Sequence, residues 1–144
     1  MVKLIREYDF KSTDFFNYIE YALTSEIKKS RNNHQPVKIT AGTRYTVTGK
    51  DNTSTKVTIN KFDRNHLYSA TFESLGEKLT VNYATKDLEK GCQIILTEDL
   101  LTYDSSKHNK IANLFYDFMY HRSAQEELNK LAKGVNSYIS DHKK

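Results

Sequence analysis

The chain is poor in the residues from which many specialised sites are built. It has one cysteine, one proline, five glycines and no tryptophan among 144 residues. Cys92 therefore allows no disulfide within the chain, and its apolar neighbours favour a small buried side chain over a reactive thiol. With so few glycines, and no dinucleotide or P-loop motif, we expect no nucleotide-dependent chemistry.

Motifs for metal binding and hydrolysis are also missing. The five histidines are scattered along the chain, without a His-Glu-x-x-His sequence, and cysteines at metal-ligand spacing do not occur. A nucleophile elbow of the form Gly-x-Ser-x-Gly does not occur either. The sequence accordingly assigns no catalytic residues, no metal site and no cofactor.

Long hydrophobic runs are lacking as well. Ile94-Ile95-Leu96 is one of the longest, whereas a membrane-spanning helix needs about 20 apolar residues. The first six residues are too few and too charged for a signal peptide, so we expect a cytoplasmic protein with no membrane span. The net charge of +4 is mild, and several of its lysines lie at the end of a predicted helix. Nucleic-acid binding is not expected.

What the sequence does contain is an ordered series of periodic segments that fits one domain, residues 1–144. Alternation over Val2–Tyr8 predicts an edge or closing strand. Apolar residues at helical spacing then predict an amphipathic helix up to Lys29, capped by Ser12 or Thr13, with Asp14 in its first turn.

From Val37 the apolar period becomes two residues, which is typical of strands. The connections between these strands are short, so neighbours must be antiparallel and form a meander with one apolar face. The predicted strands are Val37–Thr48, Thr55–Phe62, Tyr68–Glu73, Lys78–Tyr83 and Cys92 to about Tyr103, with turns at Gly49–Asn52, Asp63–Asn65, around Gly76 and at Asp87–Gly91.

A closing helix supplies the cover for that apolar face. Its apolar residues form two stripes that are slightly out of phase, and Ser123 to Glu126 between them matches a capping box. We therefore expect a kink or restart near His121–Ser123. In the first stripe, Phe115, Phe118 and Met119 should plug the sheet opposite Tyr68, Phe72 and Tyr83.

The arrangement resembles the helix-grip fold of the START and Bet v 1-like (SRPBCC) superfamily. More narrowly, it resembles the uncharacterised Firmicutes family known as domain-of-unknown-function family 3284. The resemblance implies an α+β fold of order β-α-β-β-β-β-β-α, with a curved six-stranded antiparallel sheet around a long C-terminal helix, and it implies a hydrophobic or amphipathic ligand. The matching stretches are Asp14-Phe15-Phe16, Ala41-Gly42-Thr43-Arg44-Tyr45, Tyr68-Ser69-Ala70-Thr71-Phe72, Val81-Asn82-Tyr83 and Tyr120-His121-Arg122-Ser123.

The candidate site is a cavity between sheet and closing helix. Tyrosines on the apolar parity would offer a ligand a flat apolar body and a polar tip, or else simply pack the core. Glu98 shares the parity of Ile94 and Leu96 and would point inward with a raised pKa, unless the strand bulges or emerges into solvent there. The proposed cavity-lining residues are Tyr45, Tyr68, Phe72, Tyr83, Glu98, Phe115, Phe118 and Met119.

Three functions remain open at this point. The first is a non-enzymatic binder of a small hydrophobic or amphipathic molecule, which requires an enclosed pocket of about 300 Å³ or more. The second is an enzyme of the lyase, cyclase or hydrolase type that uses Glu98 or His121 as acid or base, the latter oriented by Asp117 four residues earlier. The third is an interaction protein acting as a homodimer.

Overall fold

The structure, a computed structural model, describes residues 2–32, 35–48, 54–74, 77–100 and 110–142, and their side chains except at 77 and 110–123. Within these residues, no helix combines the length and apolar character needed to cross a membrane. The elements in chain order are β1 (Val2–Tyr8), α1 (Ser12–Arg31), β2 (Arg44–Thr48), β3 (Ser54–Asp63), β4 (Leu67–Ser74), β5 (Glu77–Leu88), β6 (Gly91–Leu100) and α2 (Lys110–His142).

The six strands form one antiparallel sheet in the order β1-β6-β5-β4-β3-β2. The last five strands are a simple meander, and β1 joins it beside β6, with Val2 opposite Glu98 and Tyr8 opposite Cys92. The predicted element order and the closing role of the first strand are thereby confirmed. The predicted turns at Gly49–Asn52 and around Gly76, and the chain beyond Leu100 up to Tyr103, lie outside the described residues.

Both helices pack on the same face of the sheet. Helix α1 contacts β2 and β5, while α2 contacts β1, β6 and α1. Their buried residues join the apolar parity of the strands in one core, because alternate strand residues point to the same side. The helical contribution to this core is Phe15, Phe16, Ile19, Leu23 and Ile27 from α1 and Ala124, Leu128 and Val135 from α2.

The predicted second strand begins too early. Residues 37–43 are not a strand, and β2 starts at Arg44. Gly42 has φ +92° in a turn, and its N–H donates to the carbonyl of Ile59 at 2.7 Å. Such a φ strongly favours glycine and interrupts the extended chain. Val37 and Ile39 still pack against the core, which explains why their alternation resembles that of a strand.

The predicted start of α1 is off by one residue. Lys11 is the N-cap, and its N–H donates to the carboxylate of Asp14 at 3.0 Å. Ser12 is instead the first helical residue, and its N–H donates to Asp87 at 2.8 Å. The helix ends at Arg31, and its C-cap Asn32 has a left-handed φ of 52°. The start of α1 is thus fixed by two carboxylates, that of Asp14 in its first turn and that of Asp87 on β5.

The predicted restart in the closing helix is wrong. Helix α2 runs without a break from Lys110 to His142, so Ser123 to Glu126 is helix interior and not a cap. Two stripes drift out of phase in a continuous helix because its period of 3.6 residues does not match a whole-number repeat.

Cys92 is fully buried, as the sequence predicted, and burial raises the pKa of its thiol to about 11.

Candidate functional site

A row of aromatic side chains crosses the core beneath α1. Tyr68 and Tyr83 face each other across the β4–β5 pair, with parallel rings 6.0 Å apart. Phe15 approaches Tyr83 at 5.8 Å, and Phe62 approaches Tyr68 at 6.2 Å. Tyr68 is therefore held among core aromatics, which is the packing role that the sequence left as the alternative to ligand contact.

Tyr45 lies at the β2 end of the same face and meets a carboxylate. It is 6% exposed, and its side chain is hydrogen-bonded to Glu26 of α1. Burial, followed by the negative charge of Glu26, raises the pKa of the Tyr45 hydroxyl, and the same two causes raise the pKa of Tyr68. Both phenols therefore stay neutral at physiological pH.

On the other side of the aromatic row, the sheet and α2 leave a recess of about 240 Å³. Strand pairing explains its walls, since Phe72 lies directly opposite Leu79 and Val81 lies directly opposite Glu98. Residues that face each other across neighbouring strands present one surface. The described residues that line the recess are Phe72, Leu79, Val81, Tyr83, Glu98 and Glu127.

Glu98 is the buried carboxylate of the recess. The ladder of β6 is regular on both sides of it, with Val2 on β1 and Val81 on β5 as partners, so the strand does not bulge there. Glu98 is 7% exposed. Burial, and then the nearby carboxylate of Glu127, raises the pKa of Glu98 above its ordinary value.

Tyr83 completes the polar lining. Burial is the main cause of its raised pKa, and the carboxylates of Glu127 and Glu98 add to the effect because negative charge nearby disfavours a phenolate. Its hydroxyl is thus a neutral group beside two carboxylates. The recess combines hydrocarbon walls from Phe72 and Leu79 with a phenol and two acids.

The recess differs from the pocket that the sequence led us to expect. It is smaller than about 300 Å³, and it is open to solvent instead of enclosed. Larger depressions exist, but they lie on the surface: one of about 430 Å³ is lined by Glu26, Lys29, Ser30, Thr46, Val47 and Thr48 beside the edge strand β2. The smaller recess, by contrast, lies between the apolar face of the sheet and α2.

The structure brings together three of the eight predicted cavity residues, Phe72, Tyr83 and Glu98. Tyr45 and Tyr68 lie on the same face but do not line the recess. The side chains of Phe115, Phe118 and Met119, and those of Asp117 and His121, lie outside the described residues.

Sequence reasoning missed three residues of the recess. Leu79 and Val81 could have been found, because they share the apolar parity of Tyr83 on β5. Glu127 is exposed and charged, and its only signal is a position four residues before Leu131, on the flank of the second stripe. Among the residues that the structure describes, no three His, Cys, Asp or Glu side chains form a group that could hold a metal.

Comparison with known proteins identifies the family. The model for the family described as "Domain of unknown function (DUF3284)" matches residues 2–121. The chain belongs to this family. No curated protein matches the sequence significantly.

Solved structures of low sequence identity share the fold of this family member. The allergen Ara h 8.0201 is 12% identical with a TM-score of 0.64, and the alignment covers 97% of each chain. Protein SA2116 of unknown function from Staphylococcus aureus is 11% identical with a TM-score of 0.64, over 97% of this chain and 93% of that one. Protein MLL2253 from Mesorhizobium loti is 10% identical with a TM-score of 0.63, over 99% and 98%. The fold is the Bet v 1-like helix grip, as the sequence predicted.

Proposed function

We propose that this protein is a non-enzymatic binder of a small hydrophobic or amphipathic molecule, held in the recess between the sheet and α2. The observation that carries the proposal is the recess itself. It lies on the apolar face of the sheet, beside the buried core, and it is lined by both hydrocarbon and polar groups. Binding sites for small molecules commonly combine apolar walls with a few polar groups that fix orientation.

The volume limits the size of the ligand. An apolar cavity of roughly 150 Å³ accepts benzene, and sites for drug-sized ligands begin near about 300 Å³. A recess of about 240 Å³ therefore suits a single ring with a short polar substituent. Polar groups on the ligand would meet Tyr83 and Glu98, while its ring would lie on Phe72 and Leu79.

A tryptophan reporter tests the proposal, since the chain has no tryptophan of its own. Phe72→Trp places an indole in the wall of the recess, and Ile5→Trp places one on β1, where Ile5 is 45% exposed. We expect saturable fluorescence changes with single-ring amphipathic compounds in Phe72→Trp and none in Ile5→Trp. Native mass spectrometry of protein purified from its own host would then show whether a small molecule accompanies it.

Filling the recess provides the decisive control. Val81→Phe in the Phe72→Trp background adds bulk to a residue that lines the recess. It should weaken binding by about ten-fold or more while costing about 1–3 kcal/mol of stability. Circular dichroism would verify that the fold is kept. The proposal fails if no single-ring compound gives a saturable change, or if Val81→Phe leaves the affinity unaltered.

A further inference from the structure

The recess is acidic in a protein whose net charge is positive. Glu98 and Glu127 both line it, and the described lining contains neither lysine nor arginine. The whole chain, by contrast, carries a net charge of +4. Two carboxylates therefore face the same small space, with no basic side chain among the described lining residues to balance them.

Glu98 is a buried carboxylate with no opposite charge beside it among the described residues. Its side chain is more than nine-tenths buried and lines the recess. The described residues give it neither a hydrogen-bond donor nor an ion pair, and the charged neighbour that acts on it, Glu127, has the same sign. Burying a carboxylate is unfavourable unless it is paired or hydrogen-bonded. A cation in the recess would remove this cost and the repulsion between the two acids.

We propose that the recess binds a small organic cation, a single-ring ammonium compound whose charged nitrogen lies between Glu98 and Glu127. The proposal rests on the binding function above and names its ligand class. An ammonium group offers several N–H donors for the two carboxylates. The rings of Phe72 and Tyr83 lie beside the same space, and aromatic faces attract cations.

A divalent metal ion suits the recess less well. Calcium takes six to eight oxygen ligands and magnesium prefers six in octahedral geometry. The described lining offers two carboxylates and one phenol, and its remaining groups are the hydrocarbon side chains of Phe72, Leu79 and Val81. These apolar walls favour a ligand that has an organic body as well as a charge.

Three probes of the same shape and different charge test the proposal. Benzylammonium, benzyl alcohol and benzoate each carry one ring, and their binding can be measured at neutral pH by chemical-shift titration of the ¹⁵N-labelled protein. We expect benzylammonium to bind about ten-fold more tightly than benzyl alcohol, because charge-assisted hydrogen bonds are about twice as strong as neutral ones. Benzoate should bind most weakly, since it would meet two like charges.

Matched variants test whether Glu98 and Glu127 are the carboxylates that hold the cation. Glu98→Gln should weaken benzylammonium binding by about ten-fold and change benzyl alcohol binding by no more than about two-fold. Asp99→Asn is the control, because Asp99 is the next residue on β6 and points to the exposed face. Glu127→Gln changes an exposed residue and leaves the core untouched, so it reports on the same charge effect even if Glu98→Gln folds poorly.

The outcomes separate this inference from the binding function. If benzyl alcohol binds as tightly as benzylammonium, or if neither Glu98→Gln nor Glu127→Gln changes their ratio, the cation inference is overturned while the binding function stands. The inference is also overturned if Val81→Phe leaves benzylammonium binding intact, because the cation then binds elsewhere. If none of the three probes binds, the inference fails; if the tryptophan reporter also detects no ligand, the binding function fails with it.

Discussion

Replacing Phe15 by alanine should lower the free energy of unfolding by more than replacing Phe72 does. Phe15 is fully buried, with its ring 5.5 Å from that of Phe16 and 5.8 Å from that of Tyr83. Phe72 is only half-buried and lines the recess. The same substitution, to alanine, therefore removes the same side chain from a packed site and from the wall of an unfilled one.

The expected magnitudes follow from the void that each substitution leaves. Phe15→Ala should destabilise the protein by about 3–5 kcal/mol, the usual cost of a phenylalanine deleted from a packed core. Of this, a new void of about 100 Å³ accounts for roughly 2 kcal/mol at about 24 cal/mol per Å³. At Phe72 the new space merges with the recess of about 240 Å³. That contribution is then absent, and Phe72→Ala should cost about 1–3 kcal/mol.

Urea unfolding followed by circular dichroism measures both values under the same conditions. Equal m-values for the two variants would show that the difference in free energy of unfolding comes from the folded state. Phe72→Ala should also retain or increase its binding of an apolar dye. Equal costs at the two positions, together with no dye binding by Phe72→Ala, would show that the recess is filled in solution and would refute the reasoning.

Three further predictions concern pH and backbone packing. Burial raises the pKa of Glu98 from its ordinary value of 4.5, so the folded state binds this proton more tightly than the unfolded state. The free energy of unfolding should therefore fall as the pH rises from 4.5 through the raised pKa. Glu98→Gln should remove this fall in urea unfolding. The N–H of Ser12 donates to the carboxylate of Asp87 and lowers its pKa below the ordinary value of 3.8. The ionised carboxylate should therefore stabilise the folded protein at neutral pH, and this stabilisation should be lost as the pH falls below 3.8. Asp87→Asn should make the free energy of unfolding less sensitive to acid. A Cβ at position 91 would overlap the carbonyl oxygen of Tyr8, so Gly91→Ala should cost about 1–3 kcal/mol in thermal unfolding and speed amide exchange in β1.

Controls for these variants lie nearby in the chain. Asp99→Asn, on the exposed face of β6, should leave the neutral-range pH profile of stability unaltered. If it changes that profile as much as Glu98→Gln does, burial of Glu98 is not the cause. An unaltered acid transition in Asp87→Asn would contradict the role of Ser12, and an unaltered melting temperature in Gly91→Ala would mean that β1 and β6 separate readily.

The pattern of residues along the chain was sufficient to predict the architecture. Alternation of apolar and polar side chains is a local property, and short connections leave antiparallel pairing as the available choice, so strand order and the covered face could both be predicted. The errors lie where a distant contact or a single backbone angle decides. Gly42 ends the extended segment through its positive φ, and the cap of α1 depends on Asp14 together with the neighbouring strand that carries Asp87.

Some residues of the candidate site could likewise be predicted from the local pattern, whereas others depend on the tertiary structure. Parity alone placed Phe72, Tyr83 and Glu98 on the apolar face, because a regular strand sends every second side chain to the same side. Only the tertiary structure decided that Tyr68 packs among the core aromatics while Glu98 faces unfilled space. It also decided that Glu127 joins Glu98, since the position of α2 across the sheet depends on packing between residues far apart in the chain. A charged residue beside an apolar stripe has no local signal of its own, and its role depends on what the fold brings next to it.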